Sequence, residues 1–172
     1  VVELEKSTLS PRSRRLFTLS AIFVATRALL ADVAEDDLSD HISTGTDYWE
    51  GISEGFTEWH HVREGKLSAG EVRRDFIHSH GTVLHALGKA GRAALGEGEP
   101  NWKDIGVRLA ELDWRRSNTG VWEGRAMTAG RVSKSMNNVT LTANVIKSHL
   151  GLSLSPEEQR VEDAYLMPEN AS

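Results

Sequence analysis

The chain has 172 residues, 39% hydrophobic and 26% charged, with a formal net charge of −5 and no cysteine. Such a composition describes one ordinary globular domain and excludes a disordered chain, a disulfide scaffold and any thiolate metal site. No apolar run approaches the roughly 18 residues that span a bilayer, and the N-terminus VVELEKSTLS carries its charges in the wrong place for a signal peptide, so no membrane partner and a cytoplasmic setting are expected.

Residues 1–16, with Lys6, Arg12, Arg14 and Arg15 around Pro11, read as an extended segment. From Thr18 to about Val33 the pattern is helical, with Leu19, Ile22, Phe23, Leu29, Leu30 and Val33 sharing one face. The acidic stretch 34–47 reads as a loop. From about Asp47 to Arg63, Trp49, Ile52, Phe56 and Trp59 recur at helical spacing, although Gly51 and Gly55 each weaken a helix by about 1 kcal/mol against alanine. Ser68 and Glu71 form a capping box that opens a helical pattern running to about Leu95. Val72, Phe76, Val83, Leu87, Ala90 and Ala94 make its main face. Ile77, Gly81, Leu84, Gly88 and Leu95 make a second stripe, where small residues admit a neighbouring helix. One long helix and two helices broken at Gly81 fit equally well.

After the loop GEGEP (residues 96–100), Asn101 caps a helix with Trp102, Ile105, Leu109 and Leu112 on its buried stripe. Residues 113–127 show no clean period and allow at most a short strand near Val121. From about Asn137 to Leu150 a helix is apolar on two sides, with Val139, Ala143, Ile146 and Leu150 opposite Leu141 and Val145, so it should lie wedged between other elements. Gly151 ends it, and Ser155-Pro156-Glu157-Glu158 starts another helix by a capping box with proline at its first position. The architecture expected is all-α, a single domain of six or seven helices.

Seven histidines raise the question of a metal. Along one helix His78 and His80 point to nearly opposite sides, and no HExxH pair exists, so no metal ligands are assigned. Periodicity places His80 towards the core and His78 and His85 outwards. No GxSxG, P-loop or GxGxxG motif is present, and nothing calls for a catalytic role or a cofactor.

Charge is the sharper signal. From Trp114 to Gly151 six cations face one acid, a net of +5, so the remainder of this −5 chain sums to −10. Arg131, Ser133, Lys134 and Asn137 lie just before a helix N-terminus, where backbone amides attract anions. With Arg115, Arg116, Arg125 and Lys147 they form a candidate set of DNA-phosphate contacts. The plainer alternative is that serine and asparagine cap the helix while the cations are solvated or pair with the acidic remainder.

The run GRVSKSMNNVTLTANVIKSHLGLSLSPEEQRVEDAYL, with WEGRAM before it, RRDFIHSHG upstream and LFTLSAIFVATRALL near the start, resembles the DndB proteins of bacterial DNA sulfur modification (phosphorothioation), in the DGQHR-domain family. The resemblance extends over nearly the whole chain and is strongest over residues 122–166. It implies a cytoplasmic, non-enzymatic, cofactor-free transcriptional regulator that binds double-stranded promoter DNA. A helical scaffold that docks the modification machinery, or a second copy of itself, is the other class of function. The Asp-Gly-Gln-His-Arg signature is absent and the chain starts with Val1, so the expectation is the C-terminal part of a longer protein.

Overall fold

Thr18 turns an extended N-terminal segment into the first helix. In this computed structural model, which describes residues 1–33 and 38–167, β1 (Val2–Glu3) pairs in parallel with β2 (Phe17–Thr18). The Thr18 hydroxyl then accepts from the Ala21 N–H at 3.2 Å and caps α1 (Leu19–Leu29). Between the two strands the chain is pinned by Arg73, whose guanidinium donates to the carbonyls of Ser10 at 3.0 Å, Ser13 at 3.1 Å, and Arg15.

The helices that follow are α2 (Leu38–Ser53), α3 (Thr57–Arg63), α4 (Ala69–Asp75), α5 (Gly81–Glu97), α6 (Trp102–Leu109) and the single turn α7 (Thr119–Trp122). A hairpin of β3 (Met127–Thr128) and β4 (Arg131–Val132) leads into α8 (Met136–Leu150) and α9 (Pro156–Leu166). The fold is mostly α, as expected, but with nine helices among the described residues instead of six or seven. Val121 lies in α7, and the short strands sit at residues 2–3, 17–18, 127–128 and 131–132 instead.

Two boundaries differ from those expected, and one open alternative is decided. Helix α2 starts at Leu38, inside the stretch expected to be a loop; residues 34–37 lie outside the described residues. Gly45, Tyr48 and Ile52 are buried at i, i+3 and i+7, so a buried stripe runs through a Ser/Thr/Asp-rich composition that masks it. The expected helix over 47–63 breaks at residues 54–56. Over Ser68 to Leu95 the two-helix alternative holds, with α5 starting at Gly81, because Phe76 adopts an extended conformation (φ −124°, ψ 156°). There the N–H of Ile77 donates to the Trp114 carbonyl at 3.0 Å and that of Arg116 to the Asp75 carbonyl at 2.9 Å, replacing helical bonds with a cross-chain bridge.

This break reverses the histidine assignment. His78 is fully buried and His80 half-buried, since helical phase does not run from α4 into α5. His78 Nδ1 accepts from the Trp59 indole N–H at 3.0 Å, within an aromatic cluster where Phe56 stacks on Trp59 at 4.2 Å and Trp114 on Trp122 at 5.1 Å. No group of three or more His, Asp or Glu side chains among the described residues could hold a metal ion.

Helix α5 is the axis, with α1 against one side and α8 against another. A Cβ at Gly88 would collide with the Ala25 carbonyl, and that close approach is possible only on the small-residue side of α1. Hence Ala25 and Leu29 are fully buried while Leu19 and Phe23, expected to face inwards, are 47% and 60% exposed. On α8 both apolar sides are covered: Val139, Leu141, Ala143, Ile146 and Leu150 are all buried between α5, α6 and α9. Gly151 stops α8 in the left-handed conformation (φ 73°), and the Ser155–Glu158 capping box starts α9. No helix among the described residues is long and apolar enough to cross a membrane.

Candidate nucleic-acid interface

The hairpin ahead of α8 is a two-residue turn with Ala129 at φ 51° and Gly130 at φ 73°, the positive pair that matches strand twist in tight hairpins. Alanine is poorly suited to that region. The Glu123 carboxylate offsets this by accepting from the amides of Ala129 and Gly130, the latter at 3.1 Å. Arg131 leaves the turn exposed, and Lys134 follows, also exposed; neither has a carboxylate partner among the described residues.

Asn138 fixes the junction between hairpin and helix. Its Oδ1 accepts from the Ser133 hydroxyl at 2.7 Å and from the Ser135 hydroxyl, and its amide nitrogen donates to the Arg125 carbonyl. Ser135 caps α8 by accepting from the Asn138 N–H at 3.2 Å. The amides of Met136 and Asn137 have no acceptor among the described residues, and the Asn137 side chain is exposed. Arg131 and Lys134 thus come within five residues of this helix end along the chain, and Asn137 stands in its first turn. The Ser133 hydroxyl is turned inwards to Asn138.

The other four candidates go elsewhere. Arg125 donates to both carboxylate oxygens of Glu162, at 2.9 and 2.6 Å, and its guanidinium carbon lies 4.3 Å from the centre of the Tyr165 ring. Tyr165 in turn donates to the Glu123 carbonyl at 3.0 Å and lies so close to Gly124 (φ 78°) that a Cβ there would sit 2.7 Å from its ring. Lys147 is buried and donates to both oxygens of Glu158 at 2.7 and 2.8 Å. Arg125 and Lys147 thus hold α9 to the body and present no charge to a ligand.

The carboxyl groups of both pairs respond. Arg125 holds Glu162 below the usual carboxylate range against the opposing effect of burial. Burial raises Glu158, but Lys147 and the Ser155 N–H outweigh it and leave that carboxyl low as well. Arg115 is exposed and pairs with Asp113 at 2.9 Å. Arg116 is half-buried, donates to the Arg73 carbonyl at 3.0 Å, and lies 3.2 Å from His80 Nε2.

Asn138, Glu162 and Tyr165 decide where the cations go, yet none bears a local sequence signal for it. Their partners are 13, 37 and 42 residues away along the chain. Glu158 is legible as a capping residue but not as the counterion of Lys147.

A model of the DndB family, described as DNA-sulfur modification-associated, matches residues 1–153. No curated protein and no solved structure matches the chain.

Proposed function

We propose a DNA-facing role from one premise: the chain belongs to the DndB family of DNA-sulfur modification-associated proteins. In this reading it is a cytoplasmic transcriptional regulator of the bacterial phosphorothioate-modification genes, without enzymatic activity or a cofactor, and it holds promoter DNA mainly by its phosphates. The observation that carries it is the hairpin–α8 junction. Among the described residues Arg131 and Lys134 are exposed and without carboxylate partners, and the first-turn amides of α8 that follow them have no acceptor, in a chain whose net charge is −5. Guanidinium, ammonium and helix-end amides are the donors that position a protein on a phosphate backbone.

Each phosphate contact releases counterions, so log affinity falls with log salt by about 0.9 per contact on duplex DNA. Arg131→Ala/Lys134→Ala should lower that slope by up to about 2 and weaken all sequences alike. Lys147→Met, whose cation faces Glu158, should leave the slope unchanged. A double variant with the wild-type slope would refute phosphate contact at this junction.

A second reading, a scaffold that docks other modification proteins or a second copy, is favoured by the outer face of α1, where Leu19, Phe23 and Val24 are exposed. Gly88 of the α5 stripe and Leu141 on the second side of α8 do not serve it, because both are buried. Absence of promoter binding at low salt would leave docking as the surviving reading.

A further inference from the structure

Helix α9 docks by charge more than by apolar contact. Of its residues only Glu158 is buried; Val161, Glu162 and Tyr165 are half-buried, and Leu166 is 61% exposed. The Arg125–Glu162 and Lys147–Glu158 pairs join it to the body, with Lys89 at 3.8 Å from Glu158. The amide nitrogen of Asn144 adds bonds to the Glu158 carbonyl at 3.0 Å and to Glu162 Oε2 at 3.1 Å. An open cleft of about 340 Å³ remains along this seam, lined by Leu141 on one side and Val161, Ala164 and Tyr165 on the other.

A buried ion pair is costly to desolvate, and apolar residues of similar size often hold a seam as well or better. Here four acids against one arginine give α9 a net charge of −3, and the stretch it lies against, residues 114–151, has a net of +5. Lifting α9 rehydrates both sets of charges and exposes little apolar surface of its own. The face beneath carries Arg125 and Lys147. Arg125 offers Glu162 two nitrogens in the bidentate fork that also fits a phosphate. Asn137, Leu141 and Asn144 follow at i, i+4 and i+7 on α8, so the covered stripe runs back to the exposed Asn137 of the candidate interface.

We propose that α9 is an autoinhibitory helix: the carboxylates of Glu158 and Glu162 occupy the places of phosphates on a polyanion-binding face formed by Arg125 and Lys147. With α9 lifted, the DNA contact extends from Asn137 along α8. The inference rests on the DNA reading above but concerns a different pair of cations, covered by α9 in this structure.

The test uses the 172-residue chain, a DNA duplex of mixed sequence and amide hydrogen exchange. Glu158→Gln/Glu162→Gln removes both seam charges, and glutamine at 158 keeps the capping box. In this variant the α9 amides should exchange about a hundredfold faster while those of α5 stay protected. The slope of log affinity against log salt should steepen by up to about 2. Lys147→Met should then take about 0.9 off that slope, although it takes nothing off the wild-type slope. Glu157→Gln/Asp163→Asn removes the same charge from exposed positions of α9 and should keep both the protection and the wild-type slope. If the seam variant loses its native circular dichroism, Glu162→Gln alone, which spares the Lys147 pair, should steepen the slope by about 0.9. Equal slopes in the seam and control variants, or α9 amides that stay protected, would overturn the inference. The hairpin contact would still stand if Arg131→Ala/Lys134→Ala lowered the wild-type slope. Binding by the seam variant but not by the wild type would support the inhibitory helix and refute the hairpin contact. No binding by either would overturn both.

Discussion

Removing the Lys147 ammonium should destabilise the fold without touching any DNA-facing charge. Lys147 and Glu158 are 7% and 11% exposed at their side chains, and the ammonium lies 2.7 and 2.8 Å from the two carboxylate oxygens. Deleting one member of such a buried pair leaves the other uncompensated, which costs about 3–5 kcal/mol. In Lys147→Met the methionine keeps most of the stem volume. Glu158 retains Lys89 at 3.8 Å and the Ser155 N–H at 3.0 Å, so the loss should fall at the low end, about 3 kcal/mol. Glu158→Gln strands Lys147 instead and should cost a similar amount, whereas the double variant removes both charges, keeps an acceptor for Ser155, and should lose only about 1 kcal/mol. Urea unfolding followed by tryptophan fluorescence gives all three values, with five tryptophans as reporters. Single losses under about 1 kcal/mol, or a double variant equal to the sum of the singles, would refute the buried pair.

Two further outcomes follow from burial. Ile146 is 0% exposed on the doubly covered α8, so Ile146→Ala should lower unfolding free energy by about 2–4 kcal/mol, and a loss under about 0.5 kcal/mol in urea titration would contradict that packing. His80 titrates near 4 in the fold against an ordinary 6.5, so between these values the unfolded chain binds a proton that the folded chain does not. Its contribution is complete above pH 6.5 and is lost as pH falls towards 4, about 3 kcal/mol in all. His80→Gln should flatten stability against pH in that window by about one proton, and an unchanged slope would count against a buried neutral imidazole.

What local chemistry encodes was legible in the chain. The capping boxes at Ser68 and Ser155, the Asn101 cap, the Gly151 stop and the two-sided α8 all stand where their residues place them. What failed required knowing a neighbour. Side-chain size points Leu19 and Phe23 inwards, but the orientation of α1 is set by how closely Gly88 lets the Ala25 backbone approach. Periodicity could not decide the division at Phe76 because the bonds that replace the helix come from Trp114 and Arg116, almost forty residues on.

Folding pairs part of the candidate cation set with acids that lie outside the basic stretch. A net of +5 over residues 114–151 stops five residues short of α9, which carries the balancing acids. Glu158 and Glu162 are four apart, hence on one face of α9, and that face is the one laid against α8. Arg125 and Lys147 are therefore the cationic half of a helix-docking seam, and counting them as ligand contacts doubles a charge already neutralised. Once they and the Arg115–Asp113 pair are set aside, Arg116, Arg131 and Lys134 remain from the original six. Arg116 lies against His80, and His80 and Lys134 line one cavity, while Arg131 stands exposed on the hairpin. The basic character that survives folding is thus smaller than the sequence count.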